Sequence, residues 1–262
     1  MNIIVCIKQV PDTTEVKLDP VTNTLIREGV PSIINPDDKA GIEAALRIKE
    51  THGAHVTVVS MGPAQADKAL REALAMGCDE AVLLSDRAFG GADTWATSST
   101  IAGALKKMKF DLVICGRQAI DGDTAQVGPQ LAEHLGIPQV SYVEDLKIEG
   151  DKVIARRQFE DRYHIIEVKM PCLLTTLSEL NKPRYMSVAG VLDAYREKEV
   201  RVMTLEDIKD TVDVANIGLK GSPTRVKKSF TKTAKGAGTK YELEPDEAVK
   251  VIMEKLAQKC LI

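Results

Sequence analysis

"CGRQAIDGDTAQVGPQLAEHLG", residues 115–136, decides how this chain is read. The apolar run "DLVICG" (111–116) leads into it, and a helix of apolar spacing leads out to Gly136-Ile137-Pro138. Between them lies a turn framed by Gly122 and Gly128 that carries Asp121, Asp123, Thr124 and Gln126. Strand, turn and amphipathic helix in that order are the repeating unit of a parallel β/α sheet.

The same rhythm extends back to the start. "IIVCIK" (3–8), "HVTVVS" (55–60) and "EAVLLS" (80–85) read as strands, and their continuous apolarity suits a sheet covered on both faces. "NPDDKAGIEAALRIKE" predicts a helix with Asn35 as N-cap, Pro36 at the first helical position and Asp37 and Asp38 in the first turn. A second helix runs from Pro63 to a stop at Gly77, burying Ala66, Leu70, Ala73 and Leu74; a third runs from about Asp93 to Lys107; a fourth spans about 124–135. Beyond Pro138 the pattern alternates around Gly150 and Asp161, which predicts an antiparallel excursion before "CLLTTL" (172–177) rejoins the sheet. The fold class expected is therefore α/β, a parallel sheet flanked by helices of the adenine-nucleotide-binding, Rossmann-like kind, with an antiparallel excursion and a C-terminal arm. The division expected is a nucleotide-binding domain over 1–180 and an arm with a closing helix over 181–262.

Composition limits the function classes. A chain of 262 residues with 44% hydrophobic and 28% charged residues can bury a core without metal or disulfide staples. Cysteines 6, 78, 115, 172 and 260 form no CxxC pair, so buried thiols are expected and no metal is assigned. No run approaches membrane-spanning length and the start is too short for a signal peptide, so a cytoplasmic location without membrane insertion is expected. Residues 181–240 hold 13 Lys or Arg against 7 Asp or Glu, although the whole chain carries −3. Within them "KGSPTRVKKSFTKTAKGAGTK" (220–240) has seven basic residues and no acid. With few aromatics in it and an acidic body behind it, this segment suits a subunit contact better than nucleic acid.

In an open parallel sheet ligands bind beyond the carboxyl ends of the strands. "IKQVPD", "SMGP" and "GRQAIDGDTAQVG" all fall on that edge. The third suits a nucleotide, with Gly122 and Gly128 relaxing the backbone and Thr124, Ala125, Gln126 and Val127 offering N–H groups to phosphate. Asp123 is read as the helix cap or as the holder of a ribose hydroxyl; the competing reading makes it an N-cap only and the glycines plain turn residues. Walker A and GxGxxG motifs are absent, and the histidines (52, 55, 134, 164) have no nucleophile partner, so no catalytic side chain is assigned. His134, late in its helix, suits the dipole there.

Together with "IKQVPDTTEVKLDP", "NPDDKAGIEAALRIKE", "VSMGPAQADKALREALAMGCDEAVLLSD" and "TLSELNKPRYMS", the opening stretch closely resembles the β subunit of electron-transfer flavoproteins. The resemblance implies an αβ heterodimer whose β chain binds a nucleotide and embraces α with a C-terminal arm. Housekeeping members hold a structural AMP; in the electron-bifurcating branch FAD takes that place, NADH is the donor, and electrons go to ferredoxin or flavodoxin and, through the α-subunit FAD, to an acyl-CoA dehydrogenase. "QAIDGDTAQVGP" and "VLDAYR" (191–196) resemble the bifurcating branch. Carried over by position, the nucleotide contacts fall on Cys6, Ile7 and Lys8, on Asn35, on Ser60, Met61 and Gly62, and on Asp121, Gly122, Asp123, Thr124, Ala125, Gln126, Val127 and Gly128. Arg196 is expected near the flavin or the subunit seam, or else paired with Asp193. "LSELNKPRY" resembles the segment that recognises the dehydrogenase, with Leu180 as anchor between Glu179 and Asn181, or else packed at an edge. An adenine-nucleotide hydrolase or ligase on a similar sheet is the rival from another class.

Overall fold

The computed structural model describes residues 1–12, 31–227, 236 and 238–262. In chain order the elements are β1 (Asn2–Cys6), β2 (Gln9–Pro11), β3 (Ser32–Ile34), α1 (Pro36–His52), β4 (His55–Met61), α2 (Asp67–Met76), β5 (Glu80–Leu84), α3 (Thr94–Leu105), β6 (Leu112–Gly116) and α4 (Val127–Leu135). They continue as β7 (Gln139–Glu149), β8 (Lys152–Gln158), β9 (Tyr163–Lys169), β10 (Cys172–Thr176), α5 (Val188–Arg196), β11 (Val200–Met203), α6 (Leu205–Ile208) and α7 (Pro245–Gln258). Among the described residues one sheet has the order β11-β5-β4-β1-β6-β10-β7-β8-β9, and β2 pairs with β3 as a small separate ribbon.

Seven of those strands, from β11 to β7 in the sheet order, pair in parallel, whereas β7-β8 and β8-β9 pair antiparallel. This is the α/β class with the expected excursion. Alternation along the central strands explains their apolarity: Ile3 and Val5 join the core with Ile42, Leu46, Leu70 and Leu74 of α1 and α2. Ile4 and Cys6 join the opposite core with Ile101, Leu105 and Leu131 of α3 and α4. Each fully buried Leu or Ile contributes about 1.5–3 kcal/mol, so both layers hold the central strands flat between them. Cys6, Cys78, Cys115 and Cys172 are buried, as expected, and Cys260 is exposed.

The division expected at residue 180 is replaced by one at Lys227, because the chain forms a compact unit over Met1–Lys227 and a second over Lys228–Ile262. After residue 181, α5 packs on α2 and β11 adds an edge strand beside β5, so this stretch is part of the sheet domain. The weak apolar signal there reflects an edge strand and an outer helix, each with one solvent face. In the second unit α7 starts with Pro245 at its first turn, as predicted, followed by Asp246 and Glu247. Residues 228–235 and 237, part of the basic segment, and 13–30, which include the second half of "IKQVPDTTEVKLDP" (7–20), lie outside the described residues.

Candidate nucleotide crevice

From β1 the chain moves to β4 and β5 on one side and then crosses to β6 on the other. The reversal leaves a crevice beyond the carboxyl ends of β1 and β6, the place where open α/β sheets bind ligands. Cys6 ends β1 in direct register with Cys115, one residue before the end of β6. Cys6 and Ile7 are buried at the crevice floor, and Lys8 rises from it.

Two adjacent acids of α1 tie the floor together. The Asp38 carboxylate accepts from Lys8 N (2.7 Å), Gly116 N (3.0 Å) and Asn35 Nδ2 (3.1 Å). Asp37 accepts from Ser178 N at 3.0 Å and faces Arg117 Nε at 3.4 Å. Burial raises the Asp37 pKa although Arg117 pulls it down. Asn35 occupies the N-cap position of α1 but its side chain makes no capping bond. Instead its amide donates to Gln118 O (2.8 Å) and to Asp38, and its carbonyl accepts from Ile120 N (3.0 Å). With 0% exposure and its donors and acceptor committed, Asn35 shapes the crevice rather than touching a nucleotide.

The turn after β6 departs from expectation in a useful way. Helix α4 starts at Val127 with Gln126 as its cap residue, so Thr124, Ala125 and Gln126 precede the helix. Asp123 does not cap it: its carboxylate accepts from Gln118 Nε2 at 2.9 Å. The residues with positive φ are Asp123 (49°) and Ala125 (52°), neither of them a glycine. Ala125 in the left-handed region followed by Gln126 in the right-handed one is the alternation that turns successive amides toward one point, an anion-binding nest. Among the described residues the N–H groups of Thr124, Ala125 and Gln126 take no partner, and Val127 and Gly128 are first-turn donors. The glycines act sterically. A Cβ on Gly128 would stand 2.6 Å from Thr175 Cγ2 of β10, so glycine there lets α4 sit close on the sheet; one on Gly122 would meet nothing within 4 Å.

Asp121 is the answer to why an acid stands beside an anion site. Its carboxylate is held by Lys8 Nζ at 2.7 and 2.9 Å, so its charge is neutralised across the mouth of the crevice. The Gln126 side-chain Oε1 accepts from Thr94 Oγ1 (2.8 Å), anchoring the turn to the start of α3. At the end of β4, Ser60 is 2% exposed and its Oγ has no partner among the described residues, while Met61 and Gly62 beside it are half-buried. A buried hydroxyl without a partner costs about 1–3 kcal/mol, an outlay that a ligand's acceptor would offset.

The remaining assignments separate from the crevice. Arg196 ends α5, is exposed, and forms no pair with Asp193 among the described residues. Its helix feeds β11, three strands from β1, which is about 14 Å of strand spacing. Leu180 is half-buried in a 3-10 turn whose neighbour Asn181 reaches Ala40 O, and Glu179 is exposed. The exposed apolar residues come later: Tyr185 at 96%, Val188 at 81%, then Leu192 and Tyr195. His134 packs edge-on against Trp95 at 4.6 Å, and burial lowers its pKa, so it is neutral near pH 7 rather than a cation for the dipole. Asp37, Asp38, Thr94, Gln118 and Thr175 were not singled out as site residues from sequence; the tandem acid after Pro36 was the available signal.

The family described as Electron transfer flavoprotein domain matches residues 22–208. The chain belongs to the electron transfer flavoprotein family, on its β-subunit side. It is 62% identical over 259 residues to the electron transfer flavoprotein subunit beta of Clostridium acetobutylicum, covering 99% of both chains. It is 57% identical to the caffeyl-CoA reductase-Etf complex subunit CarD of Acetobacterium woodii, with both chains fully covered. The acryloyl-CoA reductase electron transfer subunit gamma of Anaerotignum propionicum is 48% identical, again over all of both chains. Electron transfer flavoproteins associate with flavin or AMP, and the donor-rich turn, the unpartnered Ser60 hydroxyl and the neutralised Asp121 fit the phosphate and ribose of either. Among the described residues no helix is long and apolar enough to cross a membrane.

Proposed function

We propose that this chain is the β subunit of an electron-bifurcating electron transfer flavoprotein, with FAD seated in the β1/β6 crevice. The observation that supports it most is the run of amides from Thr124 onward that take no partner among the described residues, beside Gly122, where an added Cβ would meet nothing within 4 Å. When bound, FAD would supply two-electron exchange with NADH and one-electron delivery to ferredoxin or flavodoxin and, through the α-subunit FAD, to an acyl-CoA dehydrogenase. The protein's own residues bind and orient. Thr124 to Gly128 offer amides to the diphosphate, Ser60 Oγ donates to an acceptor at the floor, and Asp123, which takes Gln118 Nε2 on one oxygen, keeps acceptor capacity at the rim for a ribose hydroxyl. Lys8 keeps Asp121 neutralised so that this carboxylate does not stand bare beside the phosphates.

The acceptor side is read from relatives. The names caffeyl-CoA reductase-Etf complex and acryloyl-CoA reductase attach those proteins to CoA-ester oxidoreductases, and an acyl-CoA dehydrogenase is the corresponding partner here. Exposed Tyr185, Met186, Val188 and Leu192 supply the apolar docking face, which follows half-buried Leu180 and its neighbours Glu179 and Asn181 in the chain. Arg196 and the basic segment with α7 are assigned to the seam with the α subunit.

Denaturing the purified αβ heterodimer and identifying what it releases tests this reading. FAD beyond the α subunit's own, with visible absorbance bleached by NADH, is the expected result. AMP in its place would make this a housekeeping subunit, and pyrophosphate or AMP release from ATP by the chain would make it a hydrolase or ligase.

A further inference from the structure

Asp38 is buried, at 6% exposure, yet it touches both walls of the crevice. One oxygen takes Lys8 N at the end of β1; the other takes Gly116 N at the end of β6 and the Asn35 amide. A Cβ on Gly116 would lie 2.1 Å from Asp38 Oδ1, so glycine is what lets the carboxylate reach this backbone. No cation pairs with it among the described residues, so three N–H donors carry its charge. Beside the same crevice Ser60 Oγ is buried and takes no partner among the described residues, an independent sign that a ligand completes the site.

We infer that Asp38 is a positioning residue: as a carboxylate it fixes the separation of the β1 and β6 loops, and with it the affinity for the nucleotide between them. The inference rests on the nucleotide reading of the crevice. The ionised form offers charged acceptors to all three donors; a proton removes that charge, occupies one acceptor site and weakens the bonds that remain. Burial moves its pKa up to about 7 against the pull of the Asn35, Lys8 and Gly116 donors, with Asp37 adding to the rise. The other titratable or charged groups around it are Lys8, Asp121, Arg117, Glu179 beyond Asp37, and the Cys115 thiol, which burial and Cys6 hold protonated. Protonation of Asp38 below neutrality loosens the walls, so nucleotide affinity falls as pH drops. Simple repulsion between this carboxylate and phosphate would give the opposite slope.

The test uses the αβ heterodimer stripped of nucleotide and titrated with AMP, and separately with FAD, between about pH 6 and about pH 8.5. Expected are weaker binding by the wild type on acidification, an Asp38→Asn variant weaker by about tenfold at the alkaline end and flat with pH, and an Asp37→Asn variant that keeps the slope. Wild-type affinity and slope in Asp38→Asn, or wild-type affinity that rises on acidification, overturns the inference. A wild type that binds neither nucleotide at any pH overturns the nucleotide reading instead, and this inference with it. Should Asp38→Asn fail to assemble, amide exchange at Lys8 and Gly116 in the wild type decides. Protection lost at the acid end, after correction for intrinsic rates, supports the carboxylate clasp, and equal protection at both ends overturns it.

Discussion

Lys8 and Asp121 stand 113 residues apart in the chain, and Lys8 Nζ lies 2.7 Å from Asp121 Oδ1. The Asp121 side chain is 6% exposed against 44% for Lys8, so the acid depends on the lysine more than the reverse. Lys8→Met therefore strands a covered carboxylate beside the phosphate site and should lower nucleotide affinity more than Asp121→Asn does. A double-mutant cycle on nucleotide-stripped heterodimer should return a coupling of about 1 kcal/mol, discounted for the exposed lysine. Additive effects of the two changes would remove the clasp from the account.

Ala125 holds φ at 52°, a left-handed conformation that costs an L-residue roughly 1–2 kcal/mol. Ala125→Gly should thus raise urea stability by up to about 1 kcal/mol while keeping the amide direction, whereas Ala125→Val should lose both stability and nucleotide. If Val is tolerated with unchanged binding, the turn does not need its left-handed residue.

The turn also shows what sequence could and could not deliver. Strands and helices were legible because each buries a periodic apolar face, as Ile3 and Val5 against Ile4 and Cys6 illustrate. The loop stretches that form the crevice were legible because a parallel sheet puts all strand ends of one kind on one edge. Side-chain roles within it were not. Asn35 looked like a cap and Asp123 like another, but both side chains turn to partners distant in sequence or outside the helix, which local propensity does not encode. Gly122 and Gly128 looked like hinge residues, yet the second is fixed by a contact with Thr175, 47 positions along, that only the folded sheet creates.

That contact makes a compensation experiment possible. Gly128→Ala places a methyl 2.6 Å from Thr175 Cγ2 and should cost about 1–3 kcal/mol while displacing the first turn of α4 and its donors. Thr175→Ser removes the obstructing Cγ2 and retains the hydroxyl that accepts from Tyr142 N at 3.1 Å. Nucleotide affinity and melting temperature should fall in the single Gly128→Ala variant and recover in the double one. Failure to recover would assign the defect to backbone conformation rather than to packing.

Arg184 clamps the segment that follows β10 onto α1, donating to Glu43 and Glu50. Burial pushes the Glu43 pKa up, but hydrogen bonds from Arg184 and Arg47 outweigh it and leave the group below its ordinary value. A depressed acid contributes stability that is present above its unfolded pKa of 4.5 and is lost as pH falls through its folded value. The wild type should accordingly lose stability on acidification below that point, and Glu43→Gln should show a shallower acid limb from a lower plateau. Hydrogen exchange in residues 181–187 should rise in Arg184→Met at neutral pH with nucleotide content unchanged.

Loosening that clamp matters because of what it presents. Val188 begins α5 at 81% exposure and Tyr185 precedes it at 96%, while Ala194 on the other side of the helix is buried near Arg71, which donates to its carbonyl at 2.5 Å. An apolar side chain this exposed contributes almost nothing to the fold of the chain alone, so its removal should leave the melting temperature within about 1 °C of wild type. Val188→Asp and Tyr185→Ala should nevertheless slow electron delivery to an acyl-CoA dehydrogenase by about tenfold, since central apolar anchors of an interface typically carry 1–2 kcal/mol or more each. Leu180→Ala should behave differently, lowering stability by about 1 kcal/mol through lost packing and affecting delivery only in proportion. Stopped-flow reduction of the dehydrogenase, with melting curves on the same preparations, separates the two. Equal rates for wild type and Val188→Asp would move the docking face off α5.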